Sequence, residues 1–201
     1  MPKTQLIVLE GLDGTGKSTQ TTYLTNRLKK ESYQTAKLDF PQYGKRSAGL
    51  VEEYLKGKYG TGEDIGPYRA SIFYACDRYD ASFRIRKWIG EGKIVVLDRY
   101  VASNIGHQGG KIKDVGEWKK FVKWLYNLEY NIFEVPKPDI TIILKSTPEI
   151  SFKLAPRVSD REKRVRIKNA IGTSKGDIHE RDINHMKQAL ESYTRLAKEY
   201  P

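Results

Sequence analysis

The chain has 201 residues, 38% of them hydrophobic, and a formal net charge of +11, which predicts one soluble domain large enough to bury a core. A single cysteine, Cys76, excludes an internal disulfide and a cysteine-based zinc site and predicts a buried small residue rather than a nucleophile. No apolar run reaches membrane-spanning length and the start, MPKTQLIVLE, lacks the shape of a secretion signal, so the expected setting is cytoplasmic with no membrane partner.

In chain order, the first predicted element is a strand over 5–10, and LEGLDGTGKST follows it directly. The spacing Gly11-x-x-x-x-Gly16-Lys17-Ser18 is that of a phosphate-cradling loop. In such a loop backbone N–H groups wrap the phosphates, a lysine adds a point charge and a hydroxyl reaches Mg²⁺. Gly11, Gly14 and Gly16 permit the backbone dihedrals and close approach that this needs, and Thr15, Ser18 and Thr19 lie within the same turn. The predicted helix over 17–30 then presents its N-terminus to an anion. These residues predict nucleotide binding.

Further strands are predicted over 36–40, 93–98 and 139–145, and helices over 68–89, 117–131, 148–155 and 177–200. The near-continuous β-branched strands alternating with amphipathic helices predict an α/β fold with a parallel sheet flanked by helices. In such sheets the ligand lies beyond the carboxyl ends of the strands. The segments that follow those ends read DFPQYGKRSAG, DRYVASNIGHQGG and STPEISFKLAPR, rich in carboxylates, arginines and aromatic rings. Trp88, Trp118 and Trp124 fall at helical positions and read as packing residues. Asp177 followed by Glu180 reads as a helix start, with His179 on its first turn, rather than as a metal site.

The positive charge is spread over helices, with one dense segment, RVSDREKRVRIK, at 157–168. It holds few aromatic residues and no recognised nucleic-acid motif, so nucleic acid is not an expected partner.

The ordered set LEGLDGTGKST, FPQYG with the later EYLKG, ASIFYACDR, VVLDRYVASN followed by HQG, PDITIILKSTPE and GDIHERD resembles the thymidylate kinase family over nearly the whole chain. The resemblance implies a P-loop nucleoside monophosphate kinase fold in one domain over 1–201, with an acceptor-side segment at 41–70 and a lid at 155–176. It implies transfer of the γ-phosphoryl group of ATP to dTMP for dTTP and DNA synthesis, with Mg²⁺ as cofactor and a homodimer as the working form. A deoxynucleoside kinase and a non-catalytic P-loop protein that binds nucleic acid are the alternatives.

Carried over by position, the resemblance implies that Lys17 and Ser18 serve the ATP phosphates and Mg²⁺, with Asp98 as a second metal residue and Asp13 facing the acceptor nucleotide. Phe40 and Pro41 match the edge of the thymidylate pocket. Tyr74 matches a ring placed against thymine, and Arg78 a guanidinium that contacts the base. Arg99 matches the arginine that meets the dTMP phosphate, Ser103 and Asn104 the base-edge contacts, and Gln108 a glutamine beside them. His107 stands where relatives often carry a tyrosine near the sugar.

Three departures are visible in the sequence. Gln42 replaces an arginine, which passes the expected phosphate contact to Lys45 or Arg46. Gly14 replaces an arginine that one branch carries in the loop, so a lid cation is expected to neutralise the transferring group; Arg157, Arg161, Arg164 and Arg166 are the candidates, Arg161 first. The family's fifth strand would follow the helix ending LAKEYP, and this sequence stops at Pro201, so four strands are expected.

Overall fold

A computed structural model describes residues 5–154, 161–172 and 183–200. Its centre is a parallel sheet of four strands, β1 (Leu6–Gly11), β2 (Thr35–Asp39), β3 (Ile94–Asp98) and β4 (Ile140–Leu144), in the order β2-β3-β1-β4. Every residue of β3 is buried, as an apolar strand covered on both faces requires. The register aligns Leu9 with Asp98 and Gly11 with Leu144, so the ends of β3, β1 and β4 open side by side. The chain leaves β1 to one side and later returns to its other side, which puts a crevice at the carboxyl ends of the strands.

The helices are α1 (Lys17–Lys30), α2 (Gly49–Leu55), α3 (Gly62–Gly90), α4 (Val101–His107), α5 (Val115–Tyr126), α6 (Pro148–Leu154), α7 (Arg161–Ile171) and α8 (Ile183–Glu199). Strands and helices fall within a few residues of the expected positions wherever the apolar period was long. Helix α3 begins earlier than predicted, because Thr61 and Asp64 form a reciprocal capping box ahead of a break at Gly66, φ 71°, and Pro67. Helix α5 starts on an Asp114 cap and passes into a π-helical turn at Asn127–Ile132. The start predicted for the last helix at 177, with Asp177, His179 and Glu180, lies outside the described residues.

Three helices, α2, α4 and α7, were not expected. The first two span seven residues each, too few turns for an apolar period to register. Helix α7, REKRVRIKNAI, is dominated by charge. Its packing is tertiary: Ala170, with Ile167 and Ile171, joins Tyr43, Val51, Tyr54 and Leu55 in a cluster on the acceptor side.

The main core collects Leu6, Val8, Val95, Leu97, Tyr100, Ile105, Trp118, Phe121 and Leu125 around the sheet. Trp118 is fully buried, whereas Trp88 and Trp124 pack against the core's margin, as packing residues should. Cys76 is a half-buried free thiol whose pKa burial raises, consistent with an inert role. Among the described residues no helix is long and apolar enough to cross a membrane.

Candidate active site

The phosphate loop is built by glycines for two separate reasons. At Gly11, φ 134°, an added Cβ would meet the Leu144 carbonyl oxygen of the neighbouring strand at 2.5 Å. At Gly16, φ 87°, the surrounding space is open and the constraint is the left-handed backbone that launches α1. Gly14 also has positive φ, 82°. Thr15 Oγ1 and Lys17 Nζ both donate to the Leu12 carbonyl, at 2.8 and 2.7 Å, holding the loop closed with the lysine inside it. Burial, and next the nearby Arg99 charge, bring the buried Lys17 ammonium down to about 8. Ser18 and Thr19 are half-buried on the first turn of α1.

Arg99, just past β3, has a left-handed backbone at φ 72°, a conformation that costs a non-glycine residue about 1–3 kcal/mol and is typical of functional positions. This turn aims the guanidinium across the crevice. Its Nη2 donates to Asp13 Oδ1 at 2.6 Å, and its Nη1 reaches Ser103 Oγ at 3.2 Å and His107 Nε2 at 3.0 Å. Burial opposes ionisation of Asp13, yet Arg99, then Lys17 and His107, hold its carboxyl well below the usual range. Asp13 thus stands between the phosphate-loop lysine and the arginine of the third strand.

Beneath this lies a carboxylate that the sequence reading missed. Glu10 is fully buried and accepts from Tyr100 N at 2.7 Å, Ser103 N at 3.1 Å, Ser103 Oγ at 2.6 Å and Tyr193 OH at 3.0 Å. Burial pushes its pKa up. Glu10 is the last residue but one of β1, and its own strand reads as plain core; the only signal was a charge in an apolar run.

On the acceptor side the Phe40–Pro41 peptide is cis and the Phe40 ring lies 5.7 Å from Tyr100. Tyr74 meets Tyr54 edge to face at 6.4 Å. Three of the expected base contacts have partners within the protein. Arg78 commits Nε and Nη2 to Glu129, with Nε 2.9 and 3.0 Å from its two oxygens, and both residues are buried. This ion pair neutralises the buried Glu129, which needs a counterion, and it uses Nε and Nη2 of the Arg78 fork. Ser103 Oγ donates to Glu10 Oε2 and accepts from Arg99 Nη1. Asn104, also buried, spends one amide N–H on the Ser71 carbonyl at 3.1 Å, and the buried Gln108 follows it on the same turn with its backbone N–H donated to Asn104 O at 3.0 Å.

Lys45 and Arg46, expected to stand in for the arginine missing at Gln42, are exposed. Instead Arg84 of α3 donates to Gln42 Oε1, and Asp77 accepts from the Gln42 N–H at 2.8 Å and from Ser47 Oγ at 2.7 Å. An arginine one helix face away thus reaches this corner, a spacing of 42 residues that no local pattern exposes.

The opposite wall is α7. Lys163 Nζ lies 2.7 Å from Asp98 Oδ2 and 3.7 Å from Asp39 Oδ2, and Arg166 Nη2 lies 3.1 and 3.0 Å from the two Asp39 oxygens. Burial would raise the Asp98 pKa, but Lys163 and then Lys17 hold it down. Asp98 Oδ1 is buried with no hydrogen-bond partner among the described residues. Of the arginines expected in a lid, Arg157 lies outside the described residues, Arg161 and Arg164 belong to α7, and Arg166 reaches Asp39. Asp39 and Lys163 were not singled out in the sequence; Asp39 stood at a strand end beside the Phe40–Pro41 pair, the one clue to it.

The described residues include no group of three or more His, Cys, Asp or Glu side chains able to hold a metal unaided. Phosphates would have to complete any Mg²⁺ site, as in phosphoryl-transfer enzymes generally. The arrangement suits binding two phosphorylated ligands from opposite sides of Asp13.

Comparison with known proteins agrees with this geometry. Residues 9–198 match the family model described as Thymidylate kinase. Thymidylate kinase of Mycobacterium tuberculosis (strain ATCC 25618 / H37Rv) is 29% identical over 195 residues, covering 96% of this chain and 85% of the relative. Thymidylate kinase of Thermoanaerobacter sp. (strain X514) is 32% identical over 202 residues, covering 99% and 86%. The solved structure of thymidylate kinase from Candida albicans superposes with a TM-score of 0.65 at 23% identity, covering 98% of this chain and 80% of that one; it supports the fold.

Proposed function

Because the chain belongs to the thymidylate kinase family, we propose that it transfers the γ-phosphoryl group of ATP to dTMP, giving dTDP and ADP, with the residues named above in defined roles. The observation that carries the assignment of roles is Asp13, ion-paired to Arg99 at 2.6 Å on one side and lowered in pKa by Lys17 on the other. Donor and acceptor phosphates meeting there would lie between two cations, as transfer of a charged group requires.

In this reading the loop N–H groups from Gly11 to Thr19 and the Lys17 ammonium hold the ATP phosphates, while Arg99 binds the dTMP phosphate with its planar fork. Asp13 orients Arg99. Ser103, His107 and Glu10 fix that guanidinium from behind, and Phe40, Pro41, Tyr74, Asn104 and Gln108 bound the nucleoside pocket. Ser18 and Asp98 are the residues that would hold Mg²⁺, and the orphaned Asp98 Oδ1 fits that assignment. The ion, when bound, neutralises charge on the phosphate oxygens. Segment 155–176 acts as the lid, its cations drawn from Arg161, Lys163 and Arg166, and 41–70 forms the acceptor side.

We also propose a homodimer through α3, whose Ile72, Tyr79 and Phe83 expose 39%, 42% and 57% of their surface on one helix face. A species of twice the chain mass in sedimentation, dispersed by Phe83→Glu, is the expected result; a monomer at micromolar concentration would rule it out. The single free cysteine suits the cytoplasmic setting expected from the sequence.

The test of function is ADP release with ATP over a panel of acceptors. We expect turnover with dTMP and dUMP and little with AMP, dGMP or thymidine. Preference for thymidine would favour a deoxynucleoside kinase. No turnover, with DNA binding that falls steeply with salt, would favour a P-loop nucleic-acid-binding protein.

A further inference from the structure

Asp77 is a buried carboxylate to which the reaction itself gives no task. It is only 1% exposed, in the middle of α3, and its charge is met by hydrogen-bond donors rather than by a salt bridge among the described residues. Oδ2 accepts from the Gln42 N–H at 2.8 Å and Oδ1 from the Ser47 hydroxyl at 2.7 Å, with Gln42 Nε2 a longer 3.4 Å from Oδ1. The far end of the Gln42 side chain is held by the same helix, because Arg84 Nη2 donates to Oε1.

These donors belong to one short turn. Lys45 N donates to Gln42 O at 3.0 Å and Ala48 N to Lys45 O at 3.1 Å, so the stretch 42–48 closes on itself and Asp77 grips it at both ends. Other buried positions of α3 carry alanine, as at 70, 75 and 81, and a carboxylate is a costly residue to bury where packing is the only need. Its two oxygens do what no apolar side chain can: they accept an amide and a hydroxyl from the two ends of the turn.

The turn joins both walls of the acceptor pocket. Phe40 and Pro41 lead directly into Gln42. Beyond Ser47 the chain enters α2, whose Tyr54 meets Tyr74 of α3 edge to face. We propose that Asp77 is a positioning residue for the acceptor nucleotide. By pinning 42–48 to α3 it sets the separation between the Phe40–Pro41 edge and Tyr74, so that the pocket stands formed before a nucleotide enters.

The inference rests on the proposed dTMP site for its kinetic consequence, though not for its structural one. In Asp77→Ala, KM for dTMP should rise at least about fivefold, with kcat within about twofold and KM for ATP unchanged. Hydrogen exchange of the backbone amides of 42–48, followed by mass spectrometry in the nucleotide-free protein, should quicken at least about tenfold. Asp77→Asn should recover most of both effects. Its amide oxygen can accept from Gln42 N–H while its NH₂ donates to Ser47 Oγ, a hydroxyl able to reverse its role.

Wild-type exchange over 42–48 in a folded Asp77→Ala overturns the proposal. So does an unchanged KM for dTMP, a KM for ATP that rises in step with it, or an Asp77→Asn as impaired as the alanine variant. If Asp77→Ala does not fold, Ser47→Ala decides: it removes one of the two ties, and should quicken exchange over 42–48 and raise KM for dTMP about twofold, whereas wild-type values in both would overturn the proposal. A protein that turns over no dTMP would sink the proposed function and leave hydrogen exchange as the test of the tie.

Discussion

Lys163 Nζ occupies the mouth of the Asp98 carboxylate, 2.7 Å from Oδ2, while Oδ1 remains without a hydrogen-bond partner among the described residues. A lysine from the seventh helix thus meets the carboxylate proposed for Mg²⁺. Removing that charge in Lys163→Met should tighten binding of Mn²⁺, used as a probe in the nucleotide-free protein, about tenfold, ~1.4 kcal/mol. Asp98→Asn should abolish it. Identical Mn²⁺ affinity for wild type and Lys163→Met, by electron spin resonance titration, would show that the two cations do not compete.

The proposed lid segment, 155–176, should supply the charge that Gly14 leaves out of the phosphate loop. Alanine scanning of Arg157, Arg161, Arg164 and Arg166 with both substrates saturating should reveal one position, Arg161 first, that lowers kcat at least about tenfold with dTMP affinity little changed. Wild-type turnover in all four variants and in their combination would mean that these arginines do not provide it.

Lys17→Ala should abolish turnover and leave the fold intact, since the ammonium bonds a loop carbonyl and carries little of the core. The loss should amount to several kcal/mol of transition-state stabilisation. Retention of more than about a tenth of wild-type kcat in a protein with unchanged circular dichroism would remove the phosphate loop from the mechanism.

Lys17 also sets a pH dependence. Its folded pKa, about 8, is below the free lysine value of 10.5, so the cation needed for phosphate is lost as pH rises through about 8. By the same shift, the stability cost of burying the ammonium is present below pH 8 and fades toward 10.5. kcat/KM for ATP, which reports the free enzyme, should therefore fall above about pH 8, approaching tenfold per unit. Bound triphosphate favours the ammonium, so kcat should hold to higher pH. A flat kcat/KM profile from pH 7 to 10 would contradict the assignment.

The Arg78 and Glu129 pair makes a stability prediction. Glu129→Ala strands a buried guanidinium and should cost about 3–5 kcal/mol, whereas the double change Arg78→Met with Glu129→Leu should cost clearly less. Urea denaturation of the three proteins checks this. A loss under about 1 kcal/mol in Glu129→Ala would show that Arg78 is not held by that carboxylate.

The sequence by itself determined the local parts of this protein. Continuous apolar strands, a long helical period and the glycine spacing before Lys17 each act over a few residues through backbone sterics and side-chain periodicity, so the parallel sheet and the phosphate loop were legible, and so was Arg99 as a strand-end arginine. What the tertiary structure decided is which charges face each other. Glu10 reads as an oddity in a core strand until β3, α4 and α8 bring Tyr100, Ser103 and Tyr193 to it. Arg78 meets Glu129, 51 residues away, because a buried carboxylate has to be neutralised wherever the nearest cation folds. Lys163 and Arg166 reach Asp98 and Asp39 across 65 and 127 residues. Local chemistry can say that a residue carries charge or a lone pair; its partner is chosen by the cost of burying that group unpaired, and that cost exists only once the chain has closed around it.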